Sequence, residues 1–135
     1  MKILVVGAGA VGVLFGSQLQ QQGVSLSYLV RPKRAEELSQ QPLEVCLPES
    51  VISLTPHCLT QPELSSAPAF DLIILTNKAY GLSQVIDDIA PAVGEHTLML
   101  PLLNGLRHLD RLDDAFGEGK VLGGIAKTVA TLKTP

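Results

Sequence analysis

Gly7, Gly9 and Gly12 stand near the start of the chain in the stretch GAGAVG, with the spacing G-x-G-x-x-G. Glycines so spaced suit phosphate chemistry when a strand precedes them and a helix follows. The first permits a tight turn, the second lets backbone approach a pyrophosphate, and the third lets helix and strand pack closely. Ala8, Ala10 and Val11 would then offer backbone N–H groups to the anion at the positive end of the helix. A second group closes the apolar run YLVRPKR, which ends in Arg31, Lys33 and Arg34. A site preferring NAD places Asp or Glu about there to hold the ribose hydroxyls, yet no acid precedes Glu36. Cations in that place require an anion, and the 2′-phosphate that separates NADPH from NADH is one. A charge-assisted hydrogen bond contributes roughly 1.5–3 kcal/mol, or roughly ten- to hundredfold in affinity. Arg31 can fork to the phosphate and stack on adenine, whereas Lys33 and Arg34 read as supporting charge. Further on, Lys78 follows the apolar run DLIILT, and Asn104 follows LMLPLL. An ammonium there can serve a phosphate or ribose. The amide can bond ribose, a carboxamide or a substrate oxygen, although Asn-Gly is also an ordinary turn pair.

These residues need elements to place them at one edge. Lys2–Val6 has the composition of a buried parallel strand. Val11, Leu14, Phe15 and Leu19 recur at helical spacing up to Gly23, and Ser25–Val30 is a second strand. Residues 34–40 suggest a short helix, and LEVCL with VISLTPHCL a small hairpin. Asp71–Thr76 is a third long strand. Leu82, Val85, Ile86, Ile89 and Val93 predict an amphipathic helix closed by Gly94, before a strand over Thr97–Leu102. Leu106, Leu109, Leu112 and Phe116 predict a helix stopped by Gly117, and Val121–Ala130 a last strand. Strands alternating with helices imply an α/β fold of Rossmann type, a doubly wound, mostly parallel sheet with helices on both faces. Its ligands sit outside the carboxyl ends of the strands, where the residues singled out above fall.

The chain has 135 residues, 46% hydrophobic and 17% charged, as expected of a single globular domain over residues 1–135. A net charge of −3 gives no reason to expect nucleic-acid or membrane partners. The four cations Lys2, Arg31, Lys33 and Arg34, all preceding the first acid, instead suggest a small anionic ligand. Cys46 and Cys58 are too few for a disulfide framework and imply reduced, structural thiols in the cytoplasm. The stretch ILVVGAGAVGVLFG is too short and too glycine-rich to cross a membrane as one helix. His57, His96 and His108 show no metal-ligand spacing with the cysteines, so surface or turn positions are expected and no metal site. Asp87, Asp88, Asp113 and Asp114 read as solvated helix charges, and Tyr80 as core or cofactor support.

Taken in order, MKILVVGAGAVG, LVR, DLIILTNKAYGL, PLLNGL and VLGGIA resemble the N-terminal NADPH-binding domain of the ketopantoate reductase family over nearly the whole chain. The resemblance implies that residues 7–12 hold the pyrophosphate and Arg31 the adenosine phosphate. It implies that Lys78 contacts the cofactor, that Asn104 is shared by cofactor and substrate, and that Ala130 makes a backbone contact with the cofactor. Leu103 stands where many members have glutamine. The family is similar to a two-domain enzyme, whose helical second domain supplies a general-acid lysine and a substrate-binding glutamate. No catalytic residue is therefore expected in this chain, which by itself would bind NADPH without turnover. The implied reaction is hydride transfer to the ketone of 2-dehydropantoate, a 2-keto acid, giving pantoate for pantothenate synthesis. The surface meant for a second domain is a candidate for homo-oligomer contacts. Two other readings are a lone nucleotide-sensing module and a reductase of a different 2-keto acid.

Overall fold

Aliphatic residues fill positions 3–6, and the strand they form, β1 (Lys2–Val6), is buried from Ile3 onward. Leu4 and Val6 join one core, Ile3 and Val5 another, so the strand is covered on both faces. The computed structural model describes residues 1–76, 81–102 and 107–122.

After β1 the chain forms α1 (Ala10–Gln21), β2 (Ser25–Leu29) and α2 (Pro32–Gln40), then an antiparallel hairpin of β3 (Leu43–Cys46) and β4 (Val51–Leu54). It continues through β5 (Cys58–Leu59), α3 (Gln61–Leu64), β6 (Phe70–Leu75), α4 (Leu82–Ile89), a 3₁₀ turn (Ala90–Ala92), β7 (Val93–Pro101) and α5 (Arg107–Phe116). The main sheet has the order β5-β2-β1-β6-β7, and every pairing in it is parallel. The chain winds outward from β1 to β5, then crosses back over β1 to β6 and β7. The direction reverses between β1 and β6, which opens a crevice at their carboxyl ends. Val13 of α1, Leu38 of α2 and the hairpin's Val45 and Ile52 pack on one face. Leu64 of α3, Leu82 and Ile89 of α4 and Leu112 of α5 cover the other.

Several expectations change at the level of single elements. The run VISLTPHCL divides: Val51–Leu54 stays in the hairpin, while Cys58–Leu59 joins the main sheet beside β2. Gly94 does not close a helix but lies inside β7, which starts at Val93. The register shifts there between Phe70 and Leu72. Buried Thr97 satisfies the irregularity, its hydroxyl donating to Phe70 O at 2.5 Å and accepting from Gly94 N–H at 2.8 Å. Lys120 Nζ adds bonds to Gly94 O (2.8 Å) and Glu95 O (2.6 Å). Of the last expected strand, Val121 makes a parallel bridge to Met99, and residues 123–130 lie outside the described residues. Cys46 is exposed rather than structural, and Cys58 is half-buried.

On α1 the close packing expected at Gly12 is present and extends along the helix. Gly12, Val13, Gly16 and Ser17 are its buried residues, whereas Val11, Leu14, Phe15 and Leu19 are only partly covered. Small residues let the helix lie close on β1 and β2. The ring of Tyr28 fills the space left at Gly16, where a Cβ would meet the tyrosine hydroxyl and lie 2.9 Å from Cζ. The hydroxyl donates to Gln20 Oε1 at 3.3 Å. Burial, aided by the nearby Cys58 thiol, pushes the Tyr28 phenol up to about 12.

Gly16→Ala should destabilise the fold by roughly 1–3 kcal/mol, as overpacking does. Adding Tyr28→Phe should recover part of that loss, because the hydroxyl is the atom in the way. A double-mutant cycle in urea checks this; additive costs would show that the two residues do not touch. The raised phenol pKa makes stability complete below the ordinary value of 10.0 and lost as pH rises toward about 12. The loss should be roughly 2–3 kcal/mol, at 1.36 kcal/mol per unit. Denaturant unfolding at several alkaline pH values should show a shallower decline in Tyr28→Phe.

Candidate functional site

Gly7 follows β1 directly and has φ +96°, a conformation costly for any residue with a side chain. Its N–H donates to Leu29 O of β2 at 2.9 Å, and the Thr76 hydroxyl beyond β6 donates to Val6 O at 2.7 Å. The turn is thus tied to the strands on both sides. Gly12, one turn into α1, lies against it: an added Cβ would be 2.6 Å from Gly7 O and 2.9 Å from Thr76 Oγ1. Gly9 is different. It is the extended N-cap of α1 and has open space where a side chain would stand. The helical ladder begins with Val13 N–H to Gly9 O at 3.0 Å, so the N–H groups of Ala10, Val11 and Gly12 precede it and are available to an anion. Ala8 is buried.

Arg31 is the N-cap of α2, exposed at the end of β2, and Pro32 opens the helix behind it. Arg34, one turn later, reaches back over the loop and donates from Nη2 to Ala8 O at 3.2 Å. Its other terminal nitrogen lies 3.4 Å from Glu37 Oε2, and its side chain is only 23% exposed. Arg34 is therefore part of the glycine-loop structure rather than a solvated supporting charge. Lys33 is exposed. Lys2 opens the central strand β1 at its amino end, away from the carboxyl ends of the strands, with its ammonium over the Phe70 ring, so the four early cations do not form one patch.

A cleft of about 550 Å³ runs from the glycine loop along the end of β2. Arg31, Pro32 and Arg34 form one wall, Gln61 and Pro62 of α3 an end, and Gln84, Val85 and Asp88 of α4 with its N-cap Gly81 the other wall. Glu63 steadies α3 by accepting from the Thr60 hydroxyl (2.8 Å) and N–H (3.2 Å), which holds its carboxyl below the ordinary value. A smaller hollow of about 250 Å³ between α1 and β4 lies away from the strand ends. The cleft can hold one anion on free N–H groups and a second between two guanidinium groups.

Lys78, Asn104 and Ala130 lie outside the described residues, as does Tyr80. Thr76 and the α4 face escaped notice in the sequence. Thr76 ends the run DLIILT, and Gly81, Gln84, Val85 and Asp88 share helical spacing, which was the signal available. Asp88 lines the cleft instead of being a freely solvated charge. His57 takes a hydrogen bond with Ser27 at 2.8 Å, and His96 is exposed. His108 is buried, against the expected surface or turn position, because it falls on an inner face of α5. Among the described residues, no helix is long and apolar enough to cross a membrane.

A family model described as ketopantoate reductase PanE/ApbA matches residues 3–135. An uncharacterised oxidoreductase of Bacillus subtilis is 40% identical over 125 residues, which cover 93% of this chain and 40% of that protein. The 2-dehydropantoate 2-reductase of Lactococcus lactis is 31% identical over 100% of this chain and 44% of its own length. The chain thus spans less than half of these relatives. Among solved structures, D-mandelate dehydrogenase with NADH and anilino(oxo)acetate superposes with a TM-score of 0.90, at 28% identity over 100% of this chain and 44% of that one. With a model match over nearly its full length, the chain belongs to the ketopantoate reductase PanE/ApbA family.

Proposed function

We propose that this chain is the NADPH-binding part of a reductase that converts 2-dehydropantoate, a 2-keto acid, to pantoate in pantothenate synthesis. The observation that carries the cofactor assignment is the pair Arg31 and Arg34 on one wall of the cleft at the end of β2. An acid at that place would hold ribose hydroxyls; two guanidinium groups suit a 2′-phosphate. The glycine loop fits the same ligand, with open space at Gly9 and free N–H groups at the start of α1. NADPH, when bound, supplies the hydride.

The chain's own part is binding and orientation. Backbone N–H groups of residues 7–12 hold the pyrophosphate, and Arg31 and Arg34 hold the adenosine phosphate. Lys78, Asn104 and Ala130 follow later strands in sequence and complete the cofactor contacts, Asn104 also meeting the keto acid. In this proposal residues 1–135 are one dinucleotide domain, and a helical remainder of the whole protein delivers the proton to the forming alkoxide. The family membership and the Lactococcus lactis relative support the substrate. Two free thiols and NADPH chemistry fit a cytoplasmic protein.

A second reading takes NADH as the cofactor, because D-mandelate dehydrogenase, a close structural relative, is seen with NADH. The two readings part on affinity. Calorimetry should show NADPH bound at least about tenfold more tightly than NADH, a preference that shrinks as salt rises. Arg31→Ala should weaken NADPH by roughly tenfold and leave NADH nearly unchanged, whereas Arg34→Ala, which also removes the bond to Ala8 O, should weaken both and NADPH more. Equal wild-type affinities would overturn the NADPH assignment, and tighter binding of NADH would establish the second reading.

A further inference from the structure

Two polar residues of α4 face the cleft with no part in holding phosphate. Gln84 donates from Nε2 to Asp88 Oδ1 at 2.9 Å, one helical turn apart. Both line the cleft, with Val85 beside them, on the wall opposite Arg31 and Arg34. We propose that Asp88, held in place by Gln84, reads the 6-amino group of the adenine base and selects adenine dinucleotides over 6-oxo purine dinucleotides. This rests on the reading of the cleft as an NADPH site.

Placement comes first. With the pyrophosphate at the start of α1 and the 2′-phosphate between Arg31 and Arg34, the base must lie farther along the cleft. Among the described residues, the walls left there are α3 and the side of α4 formed by Gln84, Val85 and Asp88 with its N-cap Gly81. Val85 offers apolar surface to a ring, and the pair beside it offers polar atoms to the ring's edge.

Charge decides what those atoms read. A carboxylate opposite two guanidinium groups weakens phosphate binding, so its use lies with a donor. Among the described residues, no cation lies within ion-pair distance of Asp88, and its one hydrogen-bond partner is Gln84. The second carboxylate oxygen and the Gln84 carbonyl oxygen are then left as acceptors. Adenine presents an amino group with two N–H donors on that edge. A 6-oxo purine sets a carbonyl oxygen against the same acceptors and carries its nearest N–H one ring position away. The loss of such a bond to a charged group, together with oxygen facing oxygen, is worth about tenfold or more in affinity.

The test compares NADPH with nicotinamide hypoxanthine dinucleotide phosphate, in which an oxo group replaces the 6-amino group. Calorimetry on the wild-type chain should favour NADPH by about tenfold or more. Asp88→Asn keeps the shape and adds an amide donor, so the two affinities should come close to parity. The NADPH-to-NADH ratio, set on the opposite wall, should hold in that variant. Asp88→Ala should weaken NADPH while leaving the hypoxanthine analogue nearly unaffected. Equal wild-type affinities for the two dinucleotides, or a preference that survives Asp88→Asn, would overturn the assignment while leaving the NADPH reading intact. Failure of NADPH itself to bind would overturn both.

Discussion

The contact between Gly12 and the carbonyl of Gly7 is the constraint on which the site depends. With a distance of 2.6 Å to a hypothetical Cβ, no other residue type fits there without moving the backbone. That approach lets α1 start directly above the end of β1, so the first N–H groups of the helix open into the crevice between β1 and β6. The Thr76 hydroxyl, bonded to Val6 O and close to Gly12, makes β6 a third participant. Helix, loop and two central strands therefore meet within one contact, and the anion site inherits the rigidity of the sheet.

Around that point the cleft is divided by charge. Arg31 and Arg34 come from the start of α2 on one wall; Asp88 comes from α4 on the other. Arg34 connects the division to the loop itself through Ala8 O. An anion held by Arg34 and a pyrophosphate on the loop thus act on one piece of backbone, which favours ligands carrying both groups at the right separation.

The elements that read well in the sequence are those whose pattern has a single physical cause. β1 and β6 are continuous apolar runs because both their faces are covered, and α5 shows its helical spacing clearly because only one side packs. The glycine loop was legible because backbone geometry admits few alternatives. Other features depended on partners remote in sequence. The most buried face of α1 carries the small residues Gly12, Gly16 and Ser17 beside Val13, while Leu14 and Leu19 flank it against the same core, so helical spacing of large residues alone does not reveal how closely the helix meets the Tyr28 ring. Gly94 looked like a helix stop because the Thr97 hydroxyl that accommodates it in β7 could not be foreseen. The inward reach of Arg34 and the cleft-facing side of Asp88 likewise follow from where α2 and α4 settle on the sheet. Composition alone cannot distinguish such a charge from a solvated one.

Lys120 joins residues that the ribosome makes far apart in time. Its ammonium bonds the carbonyls of Gly94 and Glu95, and the adjoining backbone pairs with Met99, some twenty residues earlier. The β7 margin of the sheet is therefore left with unanswered carbonyls until that lysine emerges. Nascent chains halted before it would carry an open strand margin suited to pairing with a neighbour, whereas β1, β2 and the glycine turn could already have docked. Vulnerability to misassembly is thereby concentrated in the interval between synthesis of β7 and of Lys120, on the side of the domain away from β5.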